Sequence, residues 1–554
     1  MNRIYKTAVF FLILQFISMS AFLYADEKYD YYLRMKHGWQ DIKLVYDQIN
    51  KHYVEDVDPY PLIKSGINGM LKKLDPYSVF LEEDGERRLQ MITTGKYGGF
   101  GMEIGMRNKK VTIIAPIDDS PAQRMGIQAG DIIEKIDGYS VQDWNINKVS
   151  KHLRGKIGTD AELTIRRPGI SELIKFKLVR EEIVIKDVNY FGFIEPGIAY
   201  ISLNGFTDKA PKETIDAVKT LKEQGEIKSL ILDLRGNPGG LLESAVRIVN
   251  IFVDQGALVV STKGFREKSY DFKTQSKPIL PDVPLAVLVD GGSASAAEIV
   301  AGALQDLDRA VIIGEATFGK GLVQKVYTID KRRDVKLKLT TAKYFIPSGR
   351  CIQKKDYGRK NGIVLRDSSQ KDNASNIEYF TRNKRPVYDK GGIYPDISVK
   401  ADSVSYETLQ LIRKNMFFDF AVQYHQNNLE WENNPVMTDS ITAAFDRFLI
   451  SRNFTYESPA AKDFQRLEEK LKKKKSEKIN KLLAELQTEI ENEQMQAPKK
   501  NKDQINKFLH LELMEKYFGS KSKFSLQFKT NETILEAVKI LRDDDTYKEI
   551  LAVN

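Results

Sequence analysis

The chain has 554 residues, which is too long for one hydrophobic core and suggests three or four domains. With 42% hydrophobic and 29% charged residues it falls in the globular range, which excludes an extensively disordered chain and a protein made mainly of membrane spans. The formal net charge of +9 does not by itself indicate a nucleic-acid partner, because the densest basic run, 470–475, lies in a Glu-rich helical stretch and is typical of a solvated helix face. The single cysteine, Cys351, excludes an intramolecular disulfide.

The N-terminus has the build of an export signal. Arg3 and Lys6 precede an apolar stretch that ends near residue 25, and an acidic pair follows it. This order predicts a secretory signal peptide or an N-terminal anchor over residues 1–25. Ala21 and Ala25 are the candidate cleavage points, but neither completes an A-x-A motif, so an uncleaved anchor stays open as the alternative.

Four further regions follow, and together they predict a multidomain α/β protein. Residues 26–90 show helical spacing of apolar residues and predict a small helical region. Residues 91–185 alternate short strands with two short helices and predict a compact domain. Residues 186–400 alternate apolar strands with helices, which predicts a parallel sheet with crossover helices. Residues 401–554 are mostly charged and carry helical patterns.

Three strands of the predicted parallel sheet run into unusual loops. SLILDL leads into the glycine turn 235–240, LAVLVD leads into the loop 291–295 with two serines, and AVIIGE leads into the loop 316–320, which ends in a lysine. Loops that leave the carboxyl ends of parallel strands share one edge of the sheet, where the sites of open α/β sheets gather. A glycine turn, a serine and a lysine are therefore expected at one rim.

A serine at this rim needs a base before it can act as a nucleophile, and histidine is the usual partner. None of the five histidines lies between His152 and His425, so the predicted sheet contains none. Lys320 is the alternative, since a Ser-Lys pair performs the same acyl chemistry. Its pKa would have to fall from about 10.4 to about 7–8, which burial beside apolar neighbours such as Phe318 and Val323 could produce. An amide such as Gln324 could then orient the neutral amine.

The same rim offers hydrogen-bond donors for an oxyanion. A serine at a helix N-terminus places the next backbone N–H, that of Ala296, beside the reacting carbonyl, and the Gly239–Gly240 turn offers another. Each such donor contributes about 3–4 kcal/mol in the transition state. The small residues 293–296 also fit a plainer interpretation, in which they only cap a helix that packs closely on its sheet. Spacing alone does not separate the two.

A nucleotide site is the competing interpretation of Lys320. Residues 314–320 satisfy G-x-x-x-x-G-K, the pattern of a phosphate-binding loop. The next position is Gly321, where that loop needs Ser or Thr to hold Mg²⁺, and the following LVQKVYTI alternates like a strand. Both departures oppose nucleotide binding.

Four stretches in this region together closely resemble the carboxyl-terminal processing peptidases, the tail-specific serine proteases that use a Ser-Lys dyad. They are LILDLRGNPGGLL, GGSASAAEIVAGALQD, GEATFGKGLVQ and LTTAKYFIPSGRCIQ, and the resemblance covers about residues 40–400. YGGFGMEIG and SPAQRMGIQAGDIIEKIDG resemble the PDZ domain of that family. The resemblance implies a Ser-Lys protease core over 186–400, an inserted PDZ domain over 91–185, and helical regions at both ends.

The resemblance also assigns each role at the rim to a residue. It implies Ser295 as the nucleophile, Lys320 as the base and Gln324 as the partner that orients the base. It also implies Gly240 and Ala296 as the oxyanion donors, and Asp306 as a supporting carboxylate near the dyad. The choice of Ser295 over Ser293 comes from the resemblance alone. Ala297 and Cys351 stand where many members have serine, and neither departure is expected to abolish activity. No metal or cofactor is implied.

The Gly-rich stretch that opens the PDZ segment predicts a site for a peptide C-terminus. Consecutive backbone N–H groups there can hold a terminal carboxylate, while the peptide adds as a strand to the sheet edge. The residues predicted to form the carboxylate loop and the apolar pocket are Gly98, Gly99, Phe100, Gly101, Met102 and Ile104. The family further implies that tail binding moves this domain to license cleavage.

These features predict an exported serine endopeptidase of the periplasm or cell envelope, soluble or anchored to the inner membrane, that recognises nonpolar C-termini of proteins or peptides. The rival hypothesis is a catalytically inactive PDZ scaffold, which the intact Ser295 and Lys320 oppose. Helices in 401–554 are expected to pack on the body or to form a dimer surface rather than to bind a membrane or nucleic acid. A homodimer through the terminal helices and an adaptor protein are the further partners predicted.

Overall fold

The computed structural model describes residues 30–355, 357, 379–389, 391–400, 403–428, 430–431, 436–455, 458–471 and 477–552. The predicted leader over residues 1–25 lies outside them. Among the described residues, no helix is both long and apolar enough to cross a lipid bilayer. The chain divides into two compact units, Met1–Phe80 and Leu81–Asn554.

The described part of the first unit is helical, as the sequence predicts. Helix α1 covers 30–52 and helix α2 covers Pro59–Leu74. The carboxylate of Asp58 caps α2 by accepting a hydrogen bond from Tyr60 N at 3.0 Å, which satisfies one of the free donors of the first turn. A short strand, β1 (Val79–Leu81), follows.

The second unit begins with helix α3 (Glu83–Thr94) and a domain of antiparallel strands. Its elements are β2 (Lys96–Gly99), β3 (Met102–Arg107), β4 (Lys110–Pro116), α4 (Pro121–Arg124), β5 (Ile132–Ile136), β6 (Tyr139–Ser140), α5 (Ile146–Leu153), β7 (Asp160–Arg166), β8 (Leu173–Val179) and β9 (Glu181–Val184). The main sheet has the order β3-β4-β5-β7-β8, β6 pairs with β5, and β2 pairs with β9. Strand β3 therefore lies at one end of the sheet, beside helix α5.

A parallel sheet forms the centre of the second unit. The elements of this region are β10 (Val188–Glu195), β11 (Ile198–Leu203), α6 (Ala210–Gln224), β12 (Ser229–Asp233), α7 (Leu242–Val249), β13 (Leu258–Lys263), β14 (Tyr270–Lys273), β15 (Leu285–Val289), α8 (Ala296–Asp306), β16 (Val311–Gly314), β17 (Leu322–Asp330), β18 (Val335–Phe345), β19 (Tyr379–Phe380), β20 (Pro386–Val387) and β21 (Ile397–Ser398). The sheet order is β10-β11-β12-β15-β16-β21, with β10 antiparallel and the other strands parallel. This confirms the predicted sheet with crossover helices.

An antiparallel sheet of β13, β14, β17 and β18 lies beside the parallel sheet. Strands β17 and β18 form a long hairpin, β18 pairs further with β13, and β13 pairs with β14. The hairpin follows directly after the loop that carries Lys320, so it fixes the direction in which that loop leaves the parallel sheet.

The C-terminal region is helical, as predicted. Its helices are α9 (Tyr406–Arg413), α10 (Met416–Asn427), α11 (Asp439–Ser451), α12 (Pro459–Leu471), α13 (Glu477–Lys500), α14 (Lys502–Phe518), α15 (Ser522–Thr530), α16 (Glu532–Arg542) and α17 (Asp544–Leu551). Helices α9, α10, α11 and α14 share an aromatic-rich core of their own. Arg107, at the end of β3, donates a hydrogen bond to Asn415 and lies 5.2 Å from the ring centre of Phe418, so this helical group also contacts the antiparallel domain.

Helices cover both faces of the parallel sheet, because successive side chains of a buried strand point to opposite sides. On one face Ile201 and Leu232 pack against α6, α7 and α8. On the other face Ile231 and Leu288 pack against α15, α16 and α17. The hydroxyl of Tyr547 on α17 accepts a hydrogen bond from Leu285 N at 2.9 Å, which ties the last helix to a central strand. The last three helices, α15, α16 and α17, therefore pack on the body.

Replacing Ile534 by Ala should lower the free energy of unfolding by about 2–5 kcal/mol, because this fully buried side chain fills the space between α16 and the sheet. Leu535→Ala is the matched control, since Leu535 is the next residue of the same helix and is 44% exposed. The control should change the free energy by less than about 0.5 kcal/mol. Urea unfolding curves measure both, and equal small effects would contradict the packing of α16 on the sheet.

Candidate active site

The loop between β15 and α8 places Ser295 directly before the helix. Ser295 has φ 57° and ψ −112°, a conformation that costs a serine about 1–3 kcal/mol. Hydrogen bonds on both sides hold it: Ala294 N donates to the carbonyl of Asn237 at 2.9 Å, and Ile299 N donates to the carbonyl of Ser295 at 3.0 Å. A sharp strand-to-helix turn of this kind is how several hydrolases present a serine at the edge of a sheet.

The two serines of this loop have different surroundings. Ser293 is fully buried, and its hydroxyl donates to the carbonyl of Leu234 at 2.7 Å and accepts from Asp290 N at 3.0 Å. Its hydroxyl therefore joins two loops of the sheet edge. Ser295 is partly exposed. The structure thus distinguishes the two serines on physical grounds, which the sequence alone could not do.

The glycine turn after β12 lies against the N-terminus of α8. Gly239 has φ 93°, and a Cβ atom built on it would lie 2.8 Å from both Ser295 Cβ and Ala296 N. A Cβ atom on Gly240 would lie 2.4 Å from the carbonyl oxygen of Phe206. Both contacts are too close for a side chain, so glycine is what allows the turn to approach the loop of Ser295 at Gly239 and the backbone of Phe206 at Gly240.

Lys320 lies in the loop between β16 and β17, and this loop runs beside the loop of Ser295. Phe318 N donates to the carbonyl of Ser293 at 3.0 Å, and Lys320 is partly buried. Of the two apolar neighbours that the sequence suggests, Phe318 is 49% exposed and is not buried, whereas Val323 is partly buried against the core. Strand β17, and not a helix, follows Lys320, which also opposes a phosphate-binding loop.

The carboxylate of Glu298, in the first turn of α8, joins the two loops. It is fully buried. Its oxygens accept hydrogen bonds from the backbone N–H groups of Ser295 at 2.8 Å, Gly319 at 2.7 Å and Lys320 at 3.0 Å, and from the hydroxyl of Thr317 at 2.6 Å. Burial raises the pKa of Glu298, and the four donors oppose that rise. One side chain therefore fixes the spacing between the backbones of Ser295 and Lys320.

Tyr344, on β18, makes a second bridge between the same two residues. Its hydroxyl lies 3.1 Å from the carbonyl oxygen of Ser295 and 2.6 Å from that of Lys320, and the residue is only 1% exposed. Sequence analysis missed both bridging residues. Glu298 had a signal, because Ser295-x-x-Glu298 has the spacing of a helix capping box. Tyr344 lies in the family-like stretch LTTAKYFIPSGRCIQ, but no spacing in the sequence indicated that it contacts Ser295 and Lys320, from which it is remote in sequence.

The other two residues predicted for the rim, Gln324 and Asp306, make contacts of their own. Gln324 is on β17, and its amide donates to the hydroxyl of Thr340 at 3.3 Å. Asp306 is at the opposite end of α8, about 16 Å along the helix from Ser295. It is buried, pairs with Arg350 at 2.8 Å and accepts from Ser348 N at 2.9 Å. Burial raises its pKa, opposed by Arg350. Asp306 therefore anchors the turn after β18.

The residues predicted for peptide binding lie at the start of the antiparallel domain. Gly98 and Gly99 end β2, in register with Glu182 and Glu181 of β9. Phe100 is 2% exposed and belongs to the domain core, against which Met102 and Ile104 of β3 also pack. Gly101 has φ 72°, and its carbonyl accepts from Ile117 N at 2.9 Å and from Ser120 Oγ at 2.8 Å. The glycine stretch thus leads directly into the strand at the sheet edge.

Comparisons with known families agree with this architecture. A family model for peptidase family S41 matches residues 197–364, and a PDZ domain model matches 112–167. A model for the C-terminal helical domain of probable PDZ-proteases matches 407–541, and one for the N-terminal domain of the activating protease CtpB matches 11–85.

Curated relatives share the central part of the chain. The carboxy-terminal-processing protease of Bartonella bacilliformis is 39% identical over 313 residues, which are 56% of this chain and 71% of that protein. The carboxy-terminal processing protease CtpA of Bacillus subtilis is 35% identical over 311 residues, 56% of this chain and 66% of that protein. Among solved structures, a photosystem II D1 C-terminal processing protease is 26% identical, with a TM-score of 0.34, and covers 64% of this chain and 91% of that one.

The fold, the rim, the family models and the curated relatives define a serine peptidase that carries a PDZ domain. The chain belongs to the carboxy-terminal processing proteases of peptidase family S41. The antiparallel domain is its PDZ domain and the parallel sheet is the centre of its protease domain.

Glu298→Gln should lower kcat/KM by about 10- to 100-fold. The amide keeps the size of the side chain but turns one acceptor into a donor that faces backbone N–H groups, so the two loops separate. Glu243→Gln is the matched control, because Glu243 is an exposed carboxylate in the first turn of the neighbouring helix α7. Hydrolysis of a fluorogenic peptide measures both, and wild-type kcat/KM in the Glu298 variant would contradict the bridging role.

Proposed function

We propose that the chain is an exported endopeptidase that cleaves peptide bonds through an acyl-enzyme on Ser295, with Lys320 as the general base. The double bridge of Glu298 and Tyr344 carries the proposal, because it ties the backbones of these two residues to one another from both sides. The strained backbone and partial exposure of Ser295 support its role as nucleophile. The buried, hydrogen-bonded hydroxyl of Ser293 makes that residue a poor candidate.

In the proposed reaction, the neutral amine of Lys320 accepts the hydroxyl proton of Ser295 while the serine oxygen attacks the carbonyl carbon of the substrate. Negative charge develops on the carbonyl oxygen, and the N–H groups of Gly240 and Ala296 stabilise it. Lys320 then passes the proton to the leaving amine. Water, activated by the same base, hydrolyses the ester. Gln324 is the proposed orienting partner of the amine.

Ser295→Ala and Lys320→Ala should each lower kcat/KM by about a thousandfold or more. The first substitution removes the oxygen that bonds to the substrate, and the second removes the amine that accepts the hydroxyl proton of Ser295. Lys325→Ala is the matched control: this exposed lysine, also close to the start of β17, pairs with Glu267 at the surface and should leave kcat/KM unchanged. Hydrolysis of a fluorogenic peptide gives the rates, and mass spectrometry after treatment with a fluorophosphonate locates the adduct. Proteolysis by pure Ser295→Ala protein would refute the assignment.

We further propose that the PDZ domain recognises nonpolar C-terminal tails of envelope proteins. Strand β3 lies at the end of its sheet with helix α5 beside it, so a peptide can add as a strand between them. The stretch Gly98, Gly99, Phe100 and Gly101 opens onto the start of that strand, where the terminal carboxylate would bind. Met102 and Ile104 supply apolar surface at the same end.

A peptide that ends in nonpolar residues with a free carboxylate should bind the full-length Ser295→Ala protein at least about tenfold more tightly than the same peptide with an amidated C-terminus. The reason is that backbone N–H groups stabilise the charged carboxylate more strongly than a neutral amide. Fluorescence anisotropy of labelled peptides measures both dissociation constants. Equal affinities would exclude recognition through the terminal carboxylate.

Location and assembly complete the proposal. The leader pattern over residues 1–25 supports export to the periplasm or cell envelope, with the mature chain soluble or anchored to the inner membrane.

Helix α1 exposes Trp39, Ile42, Leu44 and Val45, each between 54% and 61% exposed. Large exposed apolar side chains on one helix favour a protein contact, so we propose a homodimer through the terminal helices. An adaptor protein is a further candidate partner.

A further inference from the structure

A partly buried charge pair lies at the carboxyl end of β12, where the glycine turn begins. Arg235 donates to Asp233 through Nε at 3.0 Å and through Nη2 at 2.5 Å. Asp233 also accepts a hydrogen bond from the hydroxyl of the buried Tyr200, at 2.6 Å. The guanidinium is therefore held along one edge by a carboxylate that is itself fixed to the sheet.

Asn531, in the C-terminal helical region, accepts a hydrogen bond from a further nitrogen of the Arg235 guanidinium. Arg235 Nη1 donates to Asn531 Oδ1 at 2.7 Å. Asn531 is the N-cap of α16, and the same oxygen accepts a hydrogen bond from Ile534 N at 3.2 Å. Helix α16 in turn packs on the parallel sheet through Ile534 and Val538. The position of Asn531 is therefore set by the sheet, and Asn531 sets one side of Arg235.

Arg235 is the first residue of the glycine turn, and its backbone continues directly into Gly236. Gly236 N donates to the carboxylate of Asp290 at 2.8 Å, and Gly239 N donates to Asn237 Oδ1 at 2.8 Å. At its far end the turn contacts the N-terminus of α8, where Gly239 lies against Ala296. The turn therefore connects Arg235 at one end with the N-terminus of α8 at the other.

We propose that Asn531 is a positioning residue for the peptidase reaction. By holding the guanidinium of Arg235 it fixes the glycine turn, and so the distance between the N–H groups of Gly240 and Ala296. The inference rests on the proposed role of these two groups as oxyanion donors. It makes the C-terminal helical region a part of the catalytic unit, because donors aimed at a developing charge lose much of their effect when displaced by a fraction of an ångström.

Two substitutions separate this role from helix capping. Asn531→Ser keeps a good N-cap, but its shorter side chain does not reach Arg235. Asn531→Asp keeps both the cap and the contact with the guanidinium. The serine variant should lower kcat about tenfold, with KM and Tm close to the wild type, whereas the aspartate variant should stay within about twofold of the wild-type kcat. Hydrolysis of a fluorogenic peptide that ends in Val-Ala-Ala gives kcat and KM, and Asn531→Thr replaces the serine variant if that protein does not fold.

The inhibition constant of a peptide boronate distinguishes a positioning role from a merely structural one, because a purely structural role of Asn531 would leave that constant unchanged. The boronate's tetrahedral adduct with a serine places an oxygen between the oxyanion donors, so its inhibition constant should rise in the serine variant by about the same factor as kcat falls. Asp543→Ala is the matched control. Asp543 caps the next helix, α17, through Asp545 N and Thr546 N, and its loss should lower Tm without lowering kcat.

The outcomes are distinct. Wild-type kcat in Asn531→Ser, an equal loss of kcat in the serine and aspartate variants, or an equal loss in Asp543→Ala would each overturn the inference. Ser295→Ala, measured in the same assay, tests the proposed function separately: activity in that variant refutes the function, whereas inactivity there together with an unaffected Asn531→Ser refutes only the positioning role.

Discussion

The buried carboxylate of Glu298 is the contact on which the protease site depends. Removing a carboxylate from water is costly, and it is tolerated inside a protein only when donors surround it. Four donors do so here, and three are backbone N–H groups of the loops that follow neighbouring strands β15 and β16. Parallel strands bring such loops to one edge but leave their separation undetermined. The carboxylate determines it, and Tyr344 repeats the constraint on the carbonyl side.

The parallel sheet imposes a second requirement, because both of its faces are apolar and both must be covered. Within the described residues, the stretch between β10 and β21 covers one face with α6, α7 and α8. The cover of the other face comes from 522–551, well beyond the motifs that carry the chemistry. The motifs that carry the chemistry all lie before residue 400. The folding unit that contains them nevertheless extends to the last helix, because that part of the chain covers the second face of the sheet. This is why Asn531 can lie beside Arg235 although 296 residues separate them.

The sequence predicts the parts of this molecule that arise from local pattern. Alternating strands and helices predict the parallel sheet, and the sheet predicts that the loops of Gly239, Ser295 and Lys320 meet. It does not predict contacts between side chains that are remote in sequence, so Tyr344 and Asn531 were missed. Exposure of a loop side chain depends on how its backbone turns, which explains why Phe318 lies outward. Ser293 and Ser295 cannot be distinguished as candidate nucleophiles from the sequence alone. The structure distinguishes them, because it shows that the hydroxyl of Ser293 is already hydrogen-bonded.

The C-terminal helices contact two places that matter for a peptidase with a PDZ domain. Asn415 and Phe418 hold Arg107 at the end of β3, and Gly130 approaches Val422 so closely that a Cβ atom there would lie 2.7 Å from a methyl group. Asn531 of the same helical region holds the glycine turn. A movement of the PDZ domain away from these helices has to expose the Phe418 ring and break the contact of Arg107. The position of the PDZ domain is therefore set in part by the same helical region whose Asn531 contacts Arg235 of the glycine turn.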